Sequence, residues 1–242
     1  MKRKIYNLTK NKLQSLRIRI GRIVPEYAWL PLIFELTLNM LVYSGSRIFT
    51  AHWRHYNIET ALDRSIPLVP WTIIIYFGCY LFWAVNYVLC VRLDRRSAWQ
   101  FLSADFLAKL VCLACFLILP TTNTRPEITG SAIWDVAMRF LYQVDAADNL
   151  FPSIHCLTSW FCYIGIRGRR EIPKWYRVFS CLFALAVFVS TLTTKQHVII
   201  DVIAGAALAE AAYRVAGCTG FDSYYGRIAG KVNRRIFKGQ LL

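Results

Sequence analysis

Six apolar segments, separated by short clusters of lysine and arginine, constrain the fold of this chain more than any other feature of its sequence. A helix needs about 20 residues to cross a bilayer. The chain is 56% hydrophobic and only 18% charged, which is typical of integral membrane proteins. We predict an all-α, polytopic helical bundle with about six transmembrane helices. The predicted spans are residues 27–49, 70–93, 101–120, 153–166, 175–193 and 197–216.

The predicted bundle occupies residues 26–217 and is flanked by two basic segments. Residues 1–25 interleave lysine and arginine with leucine and isoleucine, which is typical of an amphipathic segment on an anionic leaflet. Residues 218–242 form a basic tail that we expect at the cytoplasmic surface. The fourth span is short, and we expect residues 134–150 to pack beside it as a re-entrant or interfacial piece.

The distribution of positive charge predicts the orientation of the bundle. The formal net charge is +15, but the basic residues lie between apolar spans, so lipid headgroups explain them better than nucleic acid does. Of the 29 lysines and arginines, 22 fall on one predicted side of the membrane. The positive-inside rule therefore predicts cytoplasmic termini. We expect an integral protein of the plasma (inner) membrane, with its functional loops on the outer face.

A histidine and an aspartate near the C-terminal end are the strongest chemical signal. His197 and Asp201 are four residues apart, so in a helix they share one face. Asp201 can then accept the Nδ1 proton of His197 and leave Nε2 free as a nucleophile or base. Ionisable groups inside a membrane span are costly and by default indicate function.

Two further pieces of sequence carry groups suited to an anion. Pro152, Ser153 and His155 precede an apolar run, which predicts a helix start with free N–H groups beside a histidine. A capped helix with an incidental histidine is the alternative. Arg125 follows the third span, where its planar fork can clamp an anion or simply be solvated. Asp145 and Asp148 can orient His155 or Arg125, or be solvated loop acids.

Taken together, these pieces resemble the type 2 phosphatidic acid phosphatase and vanadium haloperoxidase superfamily. That family's motifs are a lysine, six residues and Arg-Pro; Pro-Ser-Gly-His; and Ser-Arg, five residues, His, three residues and Asp. Here Arg125-Pro126 matches the end of the first, and Pro152-Ser153-Ile154-His155 matches the second with isoleucine for glycine. The third is matched in spacing by Ser190, His197 and Asp201.

Two charged positions of the family are not charged in this chain. Ile118 stands at the lysine position of the first motif, and Thr191 stands at the arginine position of the third. Lys195, two residues before the histidine, can replace one of them. The combination of Pro-Ser-Ile-His with Thr-Lys-Gln-His more closely resembles the branch that includes inositol phosphorylceramide synthases.

The resemblance implies a mechanism for the cleavage of a lipid phosphoester or phosphoanhydride. His197 would form a phosphohistidine while Asp201 fixes its tautomer. His155 would protonate the departing alkoxide and then activate water or an acceptor alcohol. The resemblance further implies that the phosphoryl oxygens are held by Arg125, Ser153, Lys195 and Ser190. No cofactor or metal is required.

The sequence leaves several alternatives open. A lipid phosphotransferase differs from a phosphatase only in what enters after the phosphohistidine forms. A non-catalytic membrane carrier or scaffold would explain the two missing charges. His52 and His55 can bind a metal, but an interfacial loop with aromatic anchors explains them better. The expected partners are a lipid phosphate substrate and membrane lipids, and a homo-oligomer is left open.

Overall fold

The computed structural model describes residue 21 and residues 23–236. Most of the predicted amphipathic segment 1–25 and the last six residues of the predicted tail lie outside the described residues. Within them the chain is mainly helical, as predicted. The principal helices are α1 (Trp29–Met40), α2 (Ser46–Thr50), α3 (Ala61–Ser65), α4 (Ile73–Arg92), α5 (Arg95–Ile118), α6 (Ile133–Val144), α7 (Ile154–Arg167), α8 (Lys174–Thr193), α9 (Ile199–Cys218) and α10 (Phe221–Ile236).

Three helical segments of the described chain are long and apolar enough to cross a membrane. They are Pro70–Arg92, which comprises a 3₁₀ turn and α4, then Arg95–Ile118 and Lys174–Thr193. They correspond to the second, third and fifth predicted spans. Helix α7 has 14 residues, so it is about 21 Å long and shorter than the hydrocarbon layer. The count of about six spans stays a prediction.

Helix α5 is the central element of the bundle. It packs against α1, α4, α7, α9 and α10. Its inner positions are small or aromatic, including Ala104, Ala108 and Phe101, all of which are buried. Small residues allow neighbouring helix backbones to approach closely in a bundle of this kind. The main hydrophobic core therefore surrounds α5.

A buried polar cluster lies within this core. Lys109 Nζ donates to Asp105 at 2.9 Å, and Tyr87 donates to the same carboxylate at 2.7 Å. Glu35 on α1 accepts a 2.8 Å hydrogen bond from Tyr225 on α10. Lys109 therefore pairs inside the bundle, as a buried charge must, and the cluster connects α1, α4, α5 and α10.

Helix α6 packs in a different place from the one predicted. Residues 134–150 were expected beside the fourth span, but α6 packs mainly against the 3₁₀ turn Pro70–Thr72 and α4. Its buried residues Met138 and Leu141 form a small second core with Ile73 and Tyr76. The apolar residues of this segment show that it needs a partner, but they do not specify which element it covers.

A short loop structure closes the end of the bundle where α5 finishes. Two residues of β1 (Tyr56–Asn57) pair in parallel with β2 (Thr121–Thr122). Thr60 caps α3, and Asp63 completes the capping box. The Asp63 carboxylate also accepts the backbone N–H of Ile199 at 2.7 Å, so it holds the start of α9 in place.

Candidate active site

The end of α8 sets the position of His197. The N–H of Gln196 bonds to the Thr191 carbonyl and that of Lys195 bonds to the Leu192 carbonyl, which together form a Schellman motif. Lys195 has φ 55°, a conformation that normally favours glycine. Its ammonium group donates to the carbonyls of Asp63 and Ile66 at 2.9 and 2.6 Å. These bonds hold the turn that leads into His197.

His197 lies just before α9 and not on it, so the predicted helical face was wrong. Helix α9 begins at Ile199, and Val198 is an extended N-cap residue. Asp201 in the first turn accepts the Val198 N–H at 3.0 Å, and the same oxygen lies 3.3 Å from His197 Nδ1. The expected pairing therefore forms through a helix cap, because the acid must also satisfy the free N–H groups there.

His155 lies in the first turn of α7, next to its N-cap. Ser153 caps the helix by accepting the Cys156 N–H at 3.2 Å. The first N–H groups of a helix have no partner within that helix, so those of Ile154 and His155 are available to a ligand. The helix start predicted here is therefore present, and free N–H groups at a helix start favour an anion.

Main-chain contacts bring the two histidines together. The Ser153 N–H donates to the Asp201 carbonyl at 3.1 Å. A Cβ at Gly205 would lie 2.6 Å from the Ser153 carbonyl oxygen, so only glycine allows α9 to approach α7 this closely. The ring centroids of His155 and His197 are 5.9 Å apart.

Three aromatic residues on one face of α4 surround the His155 ring. The Tyr76, Trp83 and Tyr80 rings lie 4.5, 5.5 and 6.1 Å from it. The hydroxyl of Tyr80 lies 3.4 Å from Nε2, and that of Tyr76 lies 3.5 Å from Nδ1. These residues were missed in the sequence, although their i, i+4, i+7 spacing marks a single helix face.

Asp145 connects this aromatic face to the rest of the site. Its carboxylate accepts hydrogen bonds from the hydroxyls of Tyr76, at 2.5 Å, and Tyr43. Burial raises the pKa of Asp145, but nearby His155, these two hydroxyls and Arg125 lower it more, so the net shift is downward. Of the two interpretations of Asp145, the structure favours a residue that orients the site.

A small cavity lies between the two histidines. Its volume is about 10 Å³, which is room for about one water molecule. His155 and His197 are each 8% exposed. The cavity is lined by Tyr43, Phe116, Asp145, Asp148, Asn149, Leu150, Ile154, His155, Gln196 and His197.

The two cationic residues predicted to hold phosphate do not line this cavity. Arg125 donates to the carbonyls of Asp145 and Ala146 and to Gln196 Oε1, the last at 2.7 Å. Gln196 is the residue before His197, so the last of these bonds joins Arg125 to the segment that carries the histidine. Lys195 points toward the carbonyls of Asp63 and Ile66. The roles of both residues in binding stay predictions.

The two predicted serine ligands are buried and do not line the cavity. The hydroxyl of Ser190 donates to the Val187 carbonyl at 2.9 Å, and the hydroxyl of Ser153 accepts from Cys156. Of the two uncharged motif positions, Ile118 is 81% exposed at the end of α5, and Thr191 is buried. Neither lines the cavity.

The second pair of histidines shows no metal site. His55 Nδ1 lies 3.0 Å from the Trp53 carbonyl, and His52 is exposed. Within residues 23–236, no three His, Cys, Asp or Glu side chains are grouped to hold a metal ion.

Comparison with known families agrees with this geometry. The sequence matches the PAP2 superfamily over residues 50–215, which is more than half of the chain and includes every residue that lines the cavity except Tyr43. The chain belongs to the PAP2 superfamily. Neither curated proteins nor solved structures yield a match. Members of this superfamily are typically phosphatases, consistent with a paired histidine and aspartate beside a second histidine.

Proposed function

We propose that this protein is a membrane-embedded lipid phosphate phosphatase that acts through a phosphohistidine on His197. The observation that carries the proposal is that two histidines line one cavity and that the Asp201 carboxylate lies beside Nδ1 of His197. A carboxylate at Nδ1 selects the tautomer whose Nε2 lone pair can attack phosphorus, and it stabilises the ring as it becomes charged.

His155 is the proposed general acid for the leaving group and general base for the incoming water. The ring centroids are 5.9 Å apart, so both imidazoles can reach one phosphoryl group once the cavity has opened to admit it. In the first step His197 Nε2 forms a bond to phosphorus as the bond from phosphorus to the alkoxide oxygen breaks, and His155 donates its proton to that oxygen. In the second step the water oxygen forms a bond to phosphorus as the bond from phosphorus to His197 breaks, and His155 takes the proton of that water.

Unpartnered polar atoms beside the cavity support an anionic ligand. Arg125 Nε and Gln196 Nε2 are buried donors with no hydrogen-bond partner among the described residues. Together with the N–H groups at the start of α7 they can contact phosphoryl oxygens. The cavity of about 10 Å³ is smaller than a phosphate group, so substrate binding requires its lining residues to separate.

A lipid substrate is supported by the position of the cavity. Phe116, Leu150 and Ile154 contribute apolar surface to its lining, and Phe116 lies near the end of a helix long enough to cross a membrane. A phosphate carried at the end of an apolar chain can reach this depth without the chain leaving the bilayer.

The test is to trap the covalent intermediate. Purified protein is mixed with phosphatidate labelled on phosphate and quenched in alkali, which preserves phosphohistidine, and the label is mapped. We expect label on His197 and none in the His197→Ala variant. His52→Ala is the matched control, since His52 is exposed and outside the cavity. Label elsewhere, or turnover by His197→Ala, would refute the proposal.

Transfer to an acceptor alcohol is the second candidate. It is favoured by the resemblance of Pro152-Ser153-Ile154-His155 and Lys195-Gln196-His197 to the inositol phosphorylceramide synthase-like branch. The same labelled substrate separates the two reactions: free phosphate indicates hydrolysis, and a new labelled phospholipid indicates transfer. A carrier or scaffold would give neither product.

A further inference from the structure

A wide basic cleft lies at the other end of α5, far from the histidines. It forms between the start of α5, the 3₁₀ turn Glu26–Ala28 and one flank of α10, and its volume is about 800 Å³. Because α5 rises about 1.5 Å per residue, Arg95 in this cleft and Phe116 in the histidine cavity are about 30 Å apart. The residues lining the basic cleft are Glu26, Tyr27, Arg95, Trp99, Ser223, Gly226, Arg227, Gly230, Lys231, Asn233 and Arg234.

The cleft presents four cationic side chains to a single acid, Glu26. Arg95, Arg227, Lys231 and Arg234 are exposed, and none of them forms an ion pair within residues 23–236. The Arg95 guanidinium lies 4.9 Å from the centre of the Tyr27 ring, which holds it at the wall of the cleft. The local charge is thus complementary to an anion.

Helix α10 is fixed in place, so the cleft is a built feature and not a surface of a loose tail. Asn233 donates to the Tyr27 carbonyl at 2.9 Å, and Tyr225 donates to Glu35. A Cβ at Gly226 would lie 2.6 Å from Trp99, whereas a Cβ at Gly230 would meet only the end of Arg234 at 3.8 Å. Gly226 therefore allows tight packing, and Gly230 leaves the cleft open.

The opposite flank of α10 indicates the depth at which the cleft lies. It borders an apolar groove of about 540 Å³, with Phe34, Phe106, Tyr224 and Ile228 among its lining residues. A helix with one apolar and one basic flank is typical of the bilayer interface, where acyl chains meet headgroups. Tyr27 and Trp99 in the cleft are the residue types enriched at that level.

We propose that the basic cleft binds the headgroup of an anionic phospholipid, which docks α10 and this end of the bundle to the membrane surface. We assign the cleft to a lipid because its excess of positive charge is complementary to an anionic headgroup, whereas residues 1–20 are basic and contain no acid. This binding site is separate from the histidine cavity and does not depend on the proposed phosphatase activity.

The test uses the full-length protein in nanodiscs of phosphatidylcholine with phosphatidylglycerol. Native mass spectrometry counts the phosphatidylglycerol that stays bound to the released protein. We expect the triple variant Arg227→Gln, Lys231→Gln, Arg234→Gln to retain on the order of tenfold less, since each basic residue contributes to attraction of anionic lipid. The matched control is Arg96→Gln, Arg170→Gln, Arg235→Gln, which removes the same charge from exposed residues outside the cleft and should retain lipid.

A second variant tests the open space of the cleft while its charge is kept. Gly230→Phe fills the open space, keeps all four cations and favours helix formation, so we expect it to lose lipid as the triple variant does. Equal loss in the cleft and control triples would overturn the proposal in favour of a diffuse basic surface. Displacement by inorganic phosphate would show a free-anion site, and a dimer that occludes the cleft would show a second copy as its occupant. Either result would also overturn it.

Discussion

The two ends of α5 differ in how their polar groups are satisfied. At the histidine end the cavity is small, and its acid Asp145 accepts hydrogen bonds from Tyr43 and Tyr76. At the basic-cleft end the space is wide, and the four cations form no ion pair with any acid among residues 23–236. Chemistry at a phosphorus atom needs groups fixed within tenths of an ångström, whereas attraction of a charged surface needs only unpaired charge. We therefore predict that substitutions in the histidine cavity leave lipid binding by the basic cleft intact, and that substitutions in the cleft leave turnover intact.

The largest effect should come from His197→Ala, which we expect to lower turnover of phosphatidate by on the order of 10³-fold or more, because the proposed nucleophile is lost. Phosphate release by purified protein measures it. The same variant should retain phosphatidylglycerol like wild type, and the triple variant of the basic cleft should keep turnover. Loss of both properties in either variant would break the separation between the two ends.

Lys109→Met tests the polar cluster that lies between the two ends. It leaves Asp105 buried without its cation, and removal of one partner of a buried pair typically costs about 3–5 kcal/mol of the free energy of unfolding. Denaturant unfolding in detergent measures the change. The double variant Asp105→Asn, Lys109→Met should recover most of it. No recovery would mean that the packing of these side chains, and not their charge, stabilises the buried polar cluster.

His155→Gln should lower turnover of phosphatidate by about 100-fold, within the usual range for loss of a general acid or base. The loss should be smaller with p-nitrophenyl phosphate, whose leaving group needs no proton in the first step. Comparison of kcat/KM for the two substrates, which excludes hydrolysis of the phosphohistidine, measures the difference. An equal loss of kcat/KM with both would contradict protonation of the leaving group by His155.

Asp145→Asn should lower kcat by about tenfold and move the optimum to lower pH. The pKa of Asp145 is lowered, so its carboxylate is charged throughout the neutral range and favours protonated His155; without that charge, a lower pH is needed for the same protonation. A pH–rate profile measures the shift. Tyr76→Phe keeps the charge and should shift the optimum less. A uniform loss at all pH values would indicate only a structural role.

The smallest effect concerns Asp63, which joins α3 to the start of α9. Burial raises the pKa of Asp63, but hydrogen bonds from Thr60 and Ile199 and the charge of Lys195 lower it more, and the net shift is downward. Its contribution to stability is therefore present at neutral pH and is lost as the pH falls below about 4. Asp63→Asn should cost about 1 kcal/mol at pH 7, as removal of a helix cap does, and should flatten the acid dependence of thermal unfolding.

Sequence periodicity and motif spacing predicted the helical class, three helices long and apolar enough to cross a membrane, and the proximity of His155 and His197. Apolar runs and polar residues at helix starts are local signals, and they were sufficient for these features. The start of α9 was placed two residues early because the apolar run continues across Val198, and composition alone does not show where backbone φ and ψ change.

Other features depend on contacts between distant parts of the chain. The aromatic enclosure of His155 by α4 and the carbonyl contacts of Lys195 join residues that are 70 or more positions apart, and no local pattern specifies such pairs. The basic cleft likewise requires α10 to lie across the start of α5. The basic composition of the tail indicated a segment at the membrane surface, but not that it would form a helix packed across the start of α5.

The hydrogen bond from the Ser153 N–H to the Asp201 carbonyl links the two histidine-bearing segments through main chain alone. This main-chain link does not depend on which side chains line the cavity. On the proposed mechanism, Leu150 or Phe116 could therefore be exchanged to admit a bulkier or more polar headgroup without breaking it. Substrate selectivity could then change while the two histidine-bearing segments stay joined.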